Sequence, residues 1–400
     1  MKLTQLFKEF FQSERTGGLI LVICTIISLL IANSSLSHEY DHLWHLHINL
    51  SFGQVDLNHS LEEWINDGLM AVFFLLVGLE IERELYSGEL SQFRNAILPI
   101  LAAIGGMAIP SLTHFLFNHG KPTQQGIGIP MATDIAFSLG ILSLLGNRVP
   151  VSLKIFLTAL AIIDDLGAII IIAVFYSRNL SLFHLFLALS IFVILVVLNR
   201  LKVYSFWIYL AAGAIMWYFM FKSGIHAAIT GVLLAFAIPF RNGNKKNPSD
   251  SWERALHKPV NYFIVPLFAL ANTGIHIPPD WYPNLRSNNS LGIMMGLVVG
   301  KPLGVFSFSW IATKLKWARL PYGINWKILF GSGVLAGIGF TMSIFITNLA
   351  FKGDPTLVLH SKIAILLASL SASTFGLVIL SLVLPKKIAT KHPVIAEVDG

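Results

Sequence analysis

Apolar residues run through this chain in blocks long enough to cross a lipid bilayer, separated by short polar stretches. Twelve such segments can be marked, near 16–34, 62–82, 95–117, 126–145, 153–176, 181–199, 203–219, 223–240, 258–275, 290–312, 328–350 and 361–385. A helix rises ~1.5 Å per residue, so about 20 residues match the ~30 Å hydrocarbon core. The pattern predicts an all-α polytopic membrane protein with twelve transmembrane helices, residues 1–400 forming one integral membrane domain. Between the first two segments, Ile48 to Leu57 alternates in polarity and reads as a small β-hairpin inside an outer loop, 35–60. A lone hairpin is marginal in water, so pairing with a second subunit is expected there. Residues 241–257 read as a polar inner loop and 386–400 as an inner tail.

The basic residues orient this ladder of segments. With both termini inside, 21 of the 28 Lys and Arg fall on the inner side, six outside and one, Lys301, within a segment. That asymmetry matches the positive-inside rule and places both termini in the cytoplasm. Composition agrees: 55% of residues are hydrophobic and 12% charged, where soluble domains carry about 25% charged residues. A net charge of +7 spread over short loops argues against nucleic acid as a partner; the lipid bilayer is the expected one. Lys2, Lys8 and Arg15 before the first segment resemble a signal sequence. The poor cleavage site at Ile31–Ser34 favours a retained span. Cys24 is the single cysteine, which leaves no disulfide framework or cysteine metal motif.

Four segments carry an anomaly at their middle. Asp164 and Asp165 occupy the centre of the apolar run Ile155–Phe175, and Thr133 and Asp134 interrupt the fourth segment. Lys301, followed by Pro302, lies midway along the tenth, and Gly337, Gly339 and Thr341 lie at the middle of the eleventh. A charge at the membrane centre costs ~2.5–3.5 kcal/mol even on insertion scales, so such groups mark ion or proton pathways. Pro130 and the two glycines predict that the fourth and eleventh helices are interrupted. Their opposite directions point to inverted-topology repeats with a site at the crossing. Crossed half-helices gather positive N-termini on one side, suited to Asp134, and negative C-termini on the other, suited to Lys301. Two carboxylates with Thr133 oxygens suit a hard monovalent cation such as sodium. Neighbouring helical residues point ~100° apart, so Asp165 is expected to face the cavity and Asp164 to pair with Lys301. The outer-loop histidines His38, His42, His45, His47 and His59 read more simply as solvated than as a metal cluster. His226 and His257 are candidates for groups that titrate near neutrality.

The runs 132–137, 161–168, 300–304, 337–343 and 71–80 closely resemble the hallmark segments of NhaA-type sodium/proton antiporters. The likeness extends from about residue 10 to 385 in that family's order. Such proteins are themselves a known case of inverted-repeat architecture. The resemblance implies an electrogenic, pH-regulated exchanger of sodium or lithium for protons in the bacterial inner membrane, without cofactors and not an enzyme. It assigns cation and proton binding to Asp165 and Asp164 with Thr133 nearby, and charge compensation to Asp134 and Lys301. Dimerisation through the outer hairpin and pH sensing at Glu80, Glu84, Glu253 and His257 are also implied. Glu82, Asp250 and Arg254 depart from that pattern by charge or type. Three rival functions are an intramembrane aspartyl protease, a cation channel and an organic-solute symporter. A protease takes its acids from facing helices, a channel needs no central lysine, and ion specificity separates a symporter.

Overall fold

The computed structural model describes residues 2–385 except 52, 54, 55, 178, 179, 241–246 and 280; side chains are described from residue 16 on, save 89, 93 and 94. Parts of three sequence assignments therefore lie outside the described residues: Phe52, Gln54 and Val55 of the hairpin, residues 241–246 of the 241–257 loop, and the tail 386–400.

Fourteen of the helices and one hairpin position the site. They are α1 (Lys2–Ala32), β1 (His47–Asn49), β2 (Asn58–Ser60), α2 (Met70–Tyr86), α3 (Phe93–Asn118), α4 (Ile135–Ser143), α5 (Val151–Phe175), α6 (Leu182–Arg200), α7 (Phe206–Ser223), α8 (Ile229–Ala237), α9 (Pro248–Pro259), α10 (Val265–Asn272), α11 (Lys301–Lys314), α12 (Trp326–Ala336), α13 (Phe340–Ala350) and α14 (Pro355–Val383). The hairpin pairs antiparallel with His47 opposite Ser60, so its paired residues flank the 48–57 alternation and overlap it only at Ile48 and Asn49. Ser60 ends β2 and opens the next helix by a reciprocal cap. Its Oγ accepts from Glu63 N at 3.2 Å while Glu63 Oε2 accepts from Ser60 N at 2.9 Å. Trp64 Nε1 donates to Ile48 O at 3.3 Å and its ring stacks on Trp217, which ties the hairpin to the bundle.

Six helices among the described residues are long and apolar enough to cross a membrane, and three bent pairs qualify jointly. Length and apolarity alone thus give at most nine spans, fewer than the sequence count of twelve. The apolar run 223–240 yields only the nine-residue α8. Gly224 adopts a left-handed φ of +83° and turns the chain before it. The run 258–275 divides at a π-helical turn, Val260–Ile264, between α9 and α10, beside Pro259 and Pro266. A proline lacks the N–H that would continue the ladder.

The two interrupted segments are as expected. A 3₁₀ stretch, Pro122–Met131, precedes α4 with a 43° bend, and α12 precedes α13 with a 45° bend. The break before α4 is extended: Ala132 has ψ 147° and Asp134 ψ 103°. The second break falls at the two glycines, between α12 and α13. Gly337 and Gly339 themselves keep right-handed backbone angles, while the segment 337–339 leaves the helix. Gly337 is needed for close approach, since a Cβ there would lie 2.3 Å from Leu297 O.

Close backbone contact also sets the position of α11, which carries Lys301. A Cβ on Gly304 would fall 2.1 Å from Gly105 O, and one on Gly105 2.3 Å from Gly304 O. Helices α3 and α11 therefore cross on glycine. Gly304→Ala should lower the melting temperature in detergent, with a cost of about 1–3 kcal/mol for the enforced separation. An unchanged melt would mean that the two helices slide apart freely.

Candidate ion-binding site

The two breaks meet at one place and are sewn together by hydrogen bonds. Asp134 N donates to Ile338 O at 2.7 Å. Ser343 Oγ donates to Ile129 O at 2.7 Å, and Ser138 Oγ to Leu335 O at 3.1 Å. Asp134 caps both half-helices that start here. Its Oδ1 accepts from Phe137 N of α4 at 2.9 Å, and its Oδ2 from Thr341 N of α13 at 3.1 Å and from the Thr341 hydroxyl. One carboxylate thus faces two positive helix ends, where a helix N-terminus favours negative charge.

The negative ends are met by two different residues. Lys301 Nζ donates to Met131 O, the last carbonyl of the 3₁₀ stretch, and to Asp164 Oδ2 at 2.6 Å. The matching carbonyl of α12, Ala336 O, accepts from Thr133 Oγ1 at 2.9 Å. Thr133 Oγ1 also lies 2.7 Å from Asp164 Oδ2. A hydroxyl has one proton, so it serves one of these acceptors at a time. The expectation that Lys301 alone balances both C-termini is thereby divided between Lys301 and Thr133.

Asp164 and Asp165 are both buried in α5, at 0% and 1% exposure, and their surroundings differ. Asp164 Oδ2 has Lys301 and Thr133; Asp164 Oδ1 and both oxygens of Asp165 have no partner among the described residues. A buried carboxylate with two orphaned oxygens costs free energy unless something fills the gap. Three free carboxylate oxygens within one turn form a donor set fitted to a small hard cation, which would be cargo and not a resident cofactor. A cavity of about 40 Å³ touches Asp165, Asp134 and Thr341, with Glu80, Asn261 and Phe73 around it. Among the described residues no three His, Cys, Asp or Glu side chains converge as a metal site, the outer-loop histidines included.

Glu80 therefore reaches the cavity beside Asp165, although its place in the sequence groups it with Glu84. Asn261 joins it there, and its only sequence signal is a polar residue in an apolar run. The mouth is built around Arg83, a residue that the sequence does not single out, although it lies next to Glu84 and one turn from Glu80. Arg83 pairs with Glu253 of α9 and lies 3.4 Å from Glu84 Oε1. Glu82 accepts from Ser249 Oγ at 2.8 Å, and Asp250 from Asn247 Nδ2 at 2.9 Å. Burial pushes Glu253 and Asp250 upward, against the pull of Arg83 on both. Burial, with the Arg83 guanidinium, pushes His257 down to about 4. A cavity of about 240 Å³ opens here, touching Glu84 and Thr158, and Thr158 is ~10 Å along α5 from Asp165. At the other end His226 pairs with Asp67 at 3.0 Å in a cavity of about 480 Å³ that also touches Glu62, Lys352 and Lys362.

His257 gives a pH prediction with a definite sign. Its folded value lies below the ordinary 6.5 of a histidine, so its neutral form contributes fully above about pH 6.5. That contribution is lost as pH falls toward 4. His257→Gln should flatten the loss of melting temperature across that acid window. Identical acid limbs for variant and wild type would contradict the assignment.

Residues 8–380 match the family model described as Na+/H+ antiporter 1. The chain is 55% identical over 383 residues to the Na(+)/H(+) antiporter NhaA of Dechloromonas aromatica, covering 95% of this chain and 96% of that one. It is 56% identical over 385 residues to Na(+)/H(+) antiporter NhaA 1 of Flavobacterium johnsoniae, covering 96% and 98%. It is 48% identical over 386 residues to the NhaA of Proteus mirabilis, again covering 96% and 98%. Such proteins are transporters and not enzymes, they use no cofactor, and the ions are their substrates. The family match over residues 8–380 and the identity to these relatives along nearly the whole length show that the chain belongs to the NhaA family of sodium/proton antiporters.

Proposed function

We propose that this chain extrudes sodium or lithium from a bacterial cytoplasm in electrogenic exchange for protons, by alternating access. Cation and protons compete for Asp165 and Asp164; Thr133 lends an oxygen, and Asp134 and Lys301 balance the crossed helices. The observation that carries this reading is the inequality of the pair. Asp165 has two unpartnered oxygens in a buried chamber, whereas Asp164 shares one oxygen with Lys301. Two proton-accepting carboxylates set against one monovalent cation make the cycle electrogenic.

Alternating access is supported by what lies on either side of the chamber. Toward the outer cavity, Asn272 joins Asn66 at 2.8 Å and Asn348 at 2.6 Å. Phe345 packs against Phe74, Phe268 and His226 beneath them. Toward the mouth, Arg83, Glu84 and Glu253 form a charged cluster. In our reading all twelve apolar segments cross the membrane, with both termini cytoplasmic and residues 35–60 periplasmic. The polar segments 241–257 and 386–400 are cytoplasmic. The exposed β1, with Ile48 at 40% exposure, pairs two subunits. pH regulation acts through Glu80, Glu84, Glu253 and His257. Burial, more than the Arg83 guanidinium, holds His257 low, so it responds when a movement of α9 exposes it.

Dye-reported proton movement in everted vesicles tests the activity. Addition of sodium or lithium should collapse a preformed acid interior, and potassium should not. No response to either ion would refute the exchange.

A further inference from the structure

A cavity of about 670 Å³ lies outside the chamber at Asp165 and is larger than the 240 Å³ cavity that it adjoins. It sits where the loop after α11 folds against the starts of α3 and α5. Lys316 and Arg319 line it, with Trp317, Ser152, Asn95 and Phe156, and no acidic side chain lines it. Neither cation has an ion-pair partner among the described residues. Its depth is marked by an interfacial belt. Lys314 stands 4.6 Å over the Trp310 ring, Trp317 is 57% exposed and Tyr322 98% exposed, and such residues gather at the headgroup level.

A second, independent feature is the backbone of Lys316. It is one of only two non-glycine residues with positive φ among those described, at +60°. It sits where a helix usually ends on glycine: Lys316 N donates to Thr313 O and Trp317 N to Ala312 O. Glycine would adopt this conformation without strain, so the position retains a lysine side chain at a conformational cost.

We propose that this pocket binds the phosphate headgroup of an anionic membrane lipid. Lys316 and Arg319 meet the phosphate, Ser152 and Asn95 offer neutral polar contacts, and Phe156 and Trp317 flank the glycerol and first acyl carbons. Basic pockets between spans on the basic side of a membrane protein take such lipids. The pocket also borders the mouth. Asn95, Ile155 and Ala159 line both it and the 240 Å³ cavity that touches Glu84. A bound phosphate thus lies within about a Debye length of the route by which cations enter.

The test measures melting of the full chain in phosphatidylcholine nanodiscs with and without phosphatidylglycerol, at fixed ionic strength. Phosphatidylglycerol should raise the wild-type melting temperature by linkage, and phosphatidylethanolamine should not. Lys316→Gly with Arg319→Gln should lose most of that shift while melting normally in phosphatidylcholine. Lys316→Gly alone, which relieves the backbone, covers the case in which the double variant folds poorly, and should lose part of the shift. A full shift in these variants, or none in wild type, would overturn the proposal. So would an equal shift from soluble glycerol phosphate, which would make the site one for a free anion. The readout is independent of transport, so it stands or falls separately from the exchange reaction.

Discussion

Asp165→Asn should reduce sodium-dependent proton movement to the level of empty vesicles while raising the melting temperature. Both carboxylate oxygens are buried without partners. Removing an unsatisfied buried charge relieves a penalty of about 1–3 kcal/mol, more where the group is ionised. An amide of the same shape fills the same space, so packing is unchanged. Loss of transport with gain of stability is the signature of a residue held for its ligand and not for the fold. Exchange at wild-type rate by the variant would remove Asp165 from the ion site. A fall in melting temperature would mean that its charge has a structural partner.

Lys301→Ala has the opposite expected sign on stability. It deletes the cation beside Asp164 Oδ2 and the donor to Met131 O, and leaves a carboxylate buried at 0% exposure. Breaking one partner out of a buried pair costs about 3–5 kcal/mol. The loss should therefore be larger than for any single surface change, and should appear in the detergent melt. Adding Asp164→Asn to Lys301→Ala removes the orphaned charge and should restore a large part of the melting temperature. It should not restore exchange, because the number of titrating carboxylates has fallen. If the double variant melts no higher than Lys301→Ala, the cost lies in the lost contact with Met131 O and not in the ion pair.

Much of the site was legible because a charge in the middle of an apolar run is too costly to be incidental. Asp134, Asp164, Asp165 and Lys301 all announce themselves in this way, and the structure brings them together at the crossing. The inequality of the two aspartates followed from the ~100° between neighbouring helical positions. What was not legible depends on which backbone atoms meet. Gly337 reads in sequence as a flexible break, and the contact with Leu297 O that requires it belongs to a helix some forty residues earlier. The carbonyl of Ala336 is met by Thr133 and not Lys301, and nothing in residue types decides between two donors at one depth. Glu80 lies one turn from Arg83 and reads as part of the mouth; only the path of α2 turns it toward Asp165. Apolar length in the sequence does not show where a span is broken: the left-handed turn at Gly224 leaves only nine residues of the run 223–240 in α8.

Proton release on sodium binding tests most directly whether sodium and protons occupy one buried carboxylate site in turn. In weakly buffered detergent solution, adding sodium to the purified protein should acidify the medium by at least about one proton per sodium bound, because a carboxylate ligand must deprotonate. Apparent sodium affinity should weaken roughly tenfold per pH unit for each competing proton as the solution is made more acid. Asp165→Asn should bind no sodium and release no protons. Saturable sodium binding to the wild type with no proton released at any pH would contradict the account.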